Sequence, residues 1–259
     1  MTVPPDLAGP LDGEVQVPEL FLRVLEDHGF SMESVEPVWR NEAGGLTFAV
    51  VGTSGRPAVY AKWNPVSSGE SLEDEARRMT WLRQRHPVPE VLDLEADGRG
   101  EVLLTTALPG ESAVSARWRA RPEVALRALG DGLRRLHSVP VGGCPYHWSA
   151  EARLNALGIG RGSSPLGLVP PVDRLVLCQG DPCAPNTLIG DDGSFLAHVD
   201  LARLGVADRW ADLAVMSMSL AWNYGEVDET VFWEAYGADP DRERIDYYRR
   251  LWNAEGPAG

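Results

Sequence analysis

The stretch QGDPCAPNTLIGDDGSFLAHVDLARLG, residues 179–205, decides the fold. It follows an apolar run, LVLC at 175–178, that reads as a strand. Two further apolar runs, NTLI and FLAHV, are separated by GDDG, which predicts a β-hairpin. Asp181 lies in a Gly/Pro loop ahead of that hairpin, Asn186 opens its first strand, and Asp200 ends its second. The hairpin therefore predicts that Asn186 and Asp200 reach the same end of the sheet. Taken singly, Gly-Asp-Pro is an ordinary turn. The three residues together form a set that phosphoryl transfer uses. One carboxylate orients the attacking hydroxyl and accepts its proton, while an amide and a second carboxylate hold magnesium against nucleotide phosphates.

Working outward, ADRWADLAVMSMSLAW (207–222) and DRERIDYYRRLWNAE (241–255) predict helices, with Asp208 as a cap for the first. PEVALRALGDGLRRLHSV (122–139) predicts another, with Leu126, Leu129, Leu133 and Leu136 on one face. Residues 140–171 are rich in Gly and Pro and yield no assignment. The N-terminal part has a different texture. A helix is predicted over 18–30, then three short β-prone runs, SVEPVW, LTFAVVG and AVYAKW, joined by tight turns. A helix over 71–84, capped by Ser71, precedes two more strands, VLDLEA and EVLLTTAL. Glu75 falls on the apolar face of that helix with Leu72 and Met79. A buried carboxylate needs a partner, and Lys62, in a strand between Ala61 and Trp63, is the one the sequence offers.

The composition excludes several function classes. The formal net charge of −14 opposes nucleic-acid binding and favours cationic ligands. Cys144, Cys178 and Cys183 show neither disulfide-framework nor zinc spacing. No apolar run is long enough to span a bilayer, and the opening residues lack a signal-peptide pattern. A cytoplasmic protein with no membrane partner is the expectation.

The motifs QGDPCAPN (179–186) and VDLARLGVADRWADLA (199–214) are similar to the HGDxxxxN and (I/V)DxGRLGxADR signature of the aminoglycoside phosphotransferase family. The likeness is greatest to its kanamycin-kinase-like and streptomycin-kinase-like members. It continues upstream in VYAKW, EDEARRMTWL and LLTTALPGE and covers roughly residues 35–250. The resemblance implies an α+β, two-lobed, protein-kinase-like fold with a small antiparallel-sheet N-lobe and a mainly helical C-lobe. The organisation implied is a flexible leader at 1–13, a nucleotide-binding lobe at 14–107 and a catalytic and substrate-binding lobe at 108–259. ATP, with GTP as the other candidate, binds between the lobes together with Mg2+.

Carried over by position, Asp181 is the catalytic carboxylate, and Asn186 and Asp200 are the magnesium ligands. Lys62, held by Glu75, meets the α- and β-phosphates. Gly44 and Gly45 belong to a loop over the phosphates, and Thr105, Thr106 and Ala107 face the adenine. Arg203 serves the transferred phosphate or the substrate, and Glu255 binds a substrate amine. Gln179 and Asp212 support the catalytic loop. The implied acceptor is a small cationic molecule, an aminoglycoside.

Three departures from the family pattern stand out. Gln179 replaces His, Ala202 replaces Gly, and the segment 140–174 is shorter than the insertion of typical resistance enzymes. They keep two alternatives open: a metabolite kinase of the same fold, or a nucleotide-binding pseudoenzyme with a regulatory role.

Overall fold

The computed structural model describes residues 17–41, 44–52, 55–160 and 165–256. The leader at 1–13 lies outside them. The chain divides into two compact units, 17–83 with 89–108, and 84–88 with 109–256. The result is a two-lobed α+β protein with its larger antiparallel sheet in the N-terminal unit and most of its helices in the C-terminal one. Among the described residues, no helix is long and apolar enough to cross a membrane.

The N-terminal unit is built from α1 (Glu19–Asp27), β1 (Val35–Arg40), β2 (Leu46–Val51), β3 (Pro57–Pro65), α2 (Leu72–Leu82), β4 (Val91–Ala96) and β5 (Gly100–Thr106). The five strands are antiparallel in the order β1-β2-β3-β5-β4. Strand alternation sends successive side chains to opposite faces. Ala61, Val102 and Leu104 pack with Leu20, Phe21, Val24 and Leu25 of α1. The Phe21 and Phe48 rings lie 4.6 Å apart. Leu103, on the opposite face, packs with Leu72 and Ala76 of α2. Lys62 pairs in register with Leu103 and so shares the α2 face. The helix starts where the sequence predicts, with Ser71 Oγ accepting from the Asp74 N–H.

The C-terminal unit contains β6 (Gly110–Ser112), α3 (Ala116–Arg119), α4 (Pro122–Leu136), α5 (Ala150–Ala156), β7 (Leu175–Cys178), β8 (Thr187–Gly190), β9 (Phe195–His198), β10 (Gly205–Asp208), α6 (Trp210–Tyr224), α7 (Thr230–Tyr236) and α8 (Arg242–Ala254). The predicted hairpin is β8–β9, with β6 added to its edge. A second small sheet pairs β7 with β10. Every residue of α6 from Trp210 to Leu220 is buried, so this helix forms the axis of the core. Asp208, expected as its cap, sits one residue before the cap position. It still accepts from the Trp210 N–H at 3.2 Å and from the Asp173 N–H at 3.0 Å. The segment left unassigned in sequence holds α5, capped by Ser149, whose Oγ accepts from the Ala152 N–H.

Candidate active site

The loop between β7 and β8 gathers the C-terminal unit's chemical groups. Its backbone is held from below by α6. Asp212, fully buried, accepts from the Gln179 N–H at 2.6 Å and the Gly180 N–H at 3.1 Å. One α6 face further along, Ser219 Oγ accepts from the Ala184 N–H at 2.8 Å. Asp212 also meets His137 Nε2 at 3.0 Å, and His137 Nδ1 meets the Tyr236 hydroxyl at 2.8 Å. His137, Cys178 and Asp212 lie close enough to suggest a metal cluster. Both Asp212 oxygens already serve the loop amides, and the Cys178 thiol donates to the Asp208 carbonyl at 3.5 Å, so the three groups are already engaged in hydrogen bonds that support the loop.

Gln179 ties the loop to the end of the hairpin. Its Oε1 accepts from the Asp181 N–H at 2.8 Å, and its Nε2 donates to the carbonyls of Val199 and Asp200 at 3.0 Å each. Gly180 has φ +89°, and a Cβ there would fall 2.2 Å from the Arg203 carbonyl oxygen. Only glycine allows the two loops to touch in this way. Asp200 itself has φ +59°, uncommon for a residue with a side chain.

The hairpin places Asn186 and Asp200 as its geometry requires. Thr187 pairs with His198, and the Val199 N–H donates to the Asn186 carbonyl at 3.0 Å. Asn186 Nδ2 donates to the Asp181 carbonyl at 3.0 Å. Its Oδ1 accepts no hydrogen bond among the described residues. Asp181 is half-buried as a residue, yet its Oδ1 is sealed from solvent and has no hydrogen-bond partner among the described residues. A buried acceptor left in this state is costly unless a ligand completes it. Burial, then the charge of Asp200, raises the Asp181 pKa above the usual carboxylate value, while the Cys183 thiol and the Arg203 charge pull it back. The Cys183 thiol is itself pushed well up by burial and by Asp181, and so remains a proton donor. The Asp200 carboxylate and the Asn186 amide oxygen are hard oxygen ligands of the kind that suits Mg2+.

In the N-terminal unit, Lys62 Nζ lies 3.0 Å from each carboxylate oxygen of Glu75. Glu75 is 2% exposed. The pair forms because Lys62 shares the α2 face of the sheet and Glu75 shares the buried face of α2 with Leu72, Ala76 and Met79. At the β1–β2 turn, Asn41 accepts from the Gly45 N–H and the Gly44 N–H donates to the Asn41 carbonyl. Residues 42–43 of that loop lie outside the described residues. At the end of β5, the Thr106 N–H donates to the Glu90 carbonyl at 2.9 Å and the Ala107 N–H to the Ala58 carbonyl at 3.0 Å.

Two substrate candidates have surroundings that the sequence did not reveal. Glu255 accepts from Arg153 Nε and Nη2 at 2.7 Å each. Its charge therefore balances a buried arginine, which was not anticipated as its partner. Arg203 lies against two indole rings, those of Trp148 and Trp252. No sequence signal singled out Trp148 or Arg153. Trp252 is buried, at 5% exposure.

The family model described as phosphotransferase enzyme family matches residues 21–158 and 166–248. A streptomycin 3''-kinase of Streptomyces griseus is 32% identical over 248 residues, covering 82% of this chain and 90% of that protein. An aminoglycoside 3'-phosphotransferase of Streptomyces fradiae is 33% identical over 247 residues, covering 81% and 91%. The structure of aminoglycoside phosphotransferase APH(3'')-Id from Streptomyces rimosus, in complex with ADP and streptomycin, superposes with a TM-score of 0.68 at 25% identity, covering 91% of this chain and 97% of that one.

Proposed function

The chain belongs to the aminoglycoside phosphotransferase family of protein-kinase-like phosphotransferases, and from that premise we propose that it transfers the γ-phosphoryl group of ATP, with Mg2+, to a hydroxyl of a small cationic aminoglycoside. The observation that carries this reading is the sealed, unpartnered Oδ1 of Asp181 beside Asn186 and Asp200. Asp181 orients the acceptor hydroxyl and takes its proton, and its raised pKa makes it the better base. Asn186 and Asp200 hold magnesium, which when bound neutralises charge on the phosphates. Lys62 meets the α- and β-phosphates, fixed by Glu75, and Gly44 and Gly45 let the β1–β2 turn approach them closely. Gln179 and Asp212 hold the loop that presents Asp181. Rate enhancement comes from positioning and charge stabilisation.

The end of β5 supports ATP over GTP. The N–H groups of Thr106 and Ala107 are engaged in backbone bonds, which leaves carbonyl oxygens as the backbone groups this segment would present to a base. A carbonyl accepts from the adenine amino group and repels the guanine oxygen. The expected outcome is a kcat/KM for ATP at least about tenfold above that for GTP, one unmatched buried acceptor pair. Equal use of both nucleotides would remove this assignment.

The engagement of Glu255 by Arg153 favours a second reading for the acceptor. That carboxylate is not a free ammonium receptor, so a hydroxyl of a less cationic metabolite is the rival substrate. The hydrogen bonds of Gln179 weaken one of the two motives for a pseudoenzyme, Gln179 and Ala202, because the amide can do the structural work expected of the histidine. A Mg·ATP phosphorylation screen across aminoglycosides and small polyols or amino alcohols tests the proposal. Phosphorylated streptomycin or a related drug supports it, whereas turnover confined to metabolites replaces the aminoglycoside with the second reading.

A further inference from the structure

Arg203 is held by aromatic faces and not by acids. Its guanidinium carbon lies 5.7 Å from the Trp148 ring centroid and 5.3 Å from that of Trp252. It makes no hydrogen bond or ion pair among the described residues. Acidic residues outnumber basic ones by 38 to 24 in this chain, so an arginine lacking an acidic partner is a departure from its surroundings.

The rings are themselves fixed. The backbone N–H of Trp148 donates to the Val206 carbonyl at 3.0 Å, tying the main chain that carries the ring to β10. The Trp148 ring also lies 5.0 Å from the guanidinium carbon of Arg153. Arg153, 3% exposed, is locked in turn by both oxygens of Glu255. Trp252 is buried on α8. The backbone of Arg203 passes so close to Gly180, next to Asp181, that a Cβ there would meet its carbonyl oxygen.

An acidic partner would neutralise this guanidinium and engage its N–H edge. An indole attracts the cation through its face and leaves the in-plane donors available. We propose that Trp148 and Trp252 form an aromatic clamp that positions Arg203, with its N–H donors free, toward the anionic oxygens of the transferring phosphoryl group, and that the Arg153–Glu255 pair seats Trp148 within it. Trp148 and Trp252 are positioning residues acting through Arg203. Glu255 thereby acquires a role in ordering the site from the C-terminal end of α8. The inference rests on Asp181 marking the reaction centre.

The test combines kinetics with a spectroscopic readout that needs no turnover. Trp252→Leu should lower kcat about tenfold, the loss of one desolvated cation–π contact, with KM for ATP nearly unchanged. Trp252→Phe should restore most of the rate. In an Arg203→Ala background, Trp252→Leu should cause no further loss. The Arg203 Nε–Hε resonance should carry a ring-current shift that Trp252→Leu reduces and Trp252→Phe largely keeps.

A similar kcat loss in both backgrounds would show a merely structural tryptophan and overturn the clamp. An unshifted Arg203 resonance in the wild-type protein would overturn its geometry, and an unchanged kcat despite a lost shift would overturn its role. A wild-type protein that binds Mg·ADP and shows the shift but transfers no phosphoryl group to any acceptor would instead overturn the underlying reading, and the role with it.

Discussion

Gln179 joins three backbone groups through one amide, and Gly180 beside it takes a conformation that places Asp181 against the Arg203 loop. Gln179→Leu leaves the Asp181 N–H and the Val199 and Asp200 carbonyls without this partner. An expected loss of about 2–4 kcal/mol in unfolding free energy follows from several unsatisfied buried groups. Gln179→His keeps part of the set and should lose less, as urea titration would show. A larger loss in the histidine variant would contradict this assignment. Gly180→Ala combines a left-handed backbone with a clash against main chain, and should cost more than the roughly 1–2 kcal/mol of the backbone conformation alone. Residues of this kind are partly legible in sequence. Asp181, Asn186 and Asp200 declare themselves by spacing around one hairpin. The pairing of Arg153 with Glu255 does not, because the two stand 102 positions apart and no motif joins them.

At the scale of elements, the Lys62–Glu75 pair shows how two periodicities meet. The strand period of two turns Lys62 toward α2, and the helix repeat turns Glu75 toward the sheet. Lys62→Ala leaves a carboxylate buried at 2% exposure without its cation, an expected loss of about 3 kcal/mol. The double variant Lys62→Met with Glu75→Leu should recover most of that stability while ATP binding stays impaired. Denaturation midpoints and ADP titrations measure both effects. A double variant as unstable as the single one would refute the burial argument.

A carboxylate on the apolar face of α2 made this pair readable from sequence. The elements that escaped reading are short. β6 and β10 have three and four residues, too few for a period of two to emerge. Strand β10 is defined by its partner β7, nearly thirty residues upstream, and not by its own pattern.

At the scale of the whole molecule, charge and buried histidines set the response to solution conditions. The net charge of −14 should draw a cationic acceptor electrostatically. Its KM should therefore rise between low and physiological salt, while KM for a neutral acceptor holds.

His86 and His198 stack in the C-terminal core with 2.9 Å between Nε2 and Nδ1. Burial, aided by the charge of Arg135, lowers the His86 pKa from 6.5 to about 4. A histidine depressed in the folded state takes up its proton first in the unfolded chain. Stability from this source is therefore full above about pH 6.5 and declines as pH falls toward 4. Thermal midpoints recorded across that window should fall more steeply in the wild-type protein than in His86→Phe. Parallel slopes would exclude this origin.

Initial rates of phosphoryl transfer from Mg·ATP to an accepted acceptor, compared between the wild-type protein and Asp181→Asn, bear most directly on the whole account. The substitution keeps the shape of the side chain but removes the base. A kcat loss of about 10²–10⁴-fold, the usual reach of a general base, with unaltered ADP affinity and thermal midpoint, is the predicted result. Undiminished turnover in Asp181→Asn would contradict it.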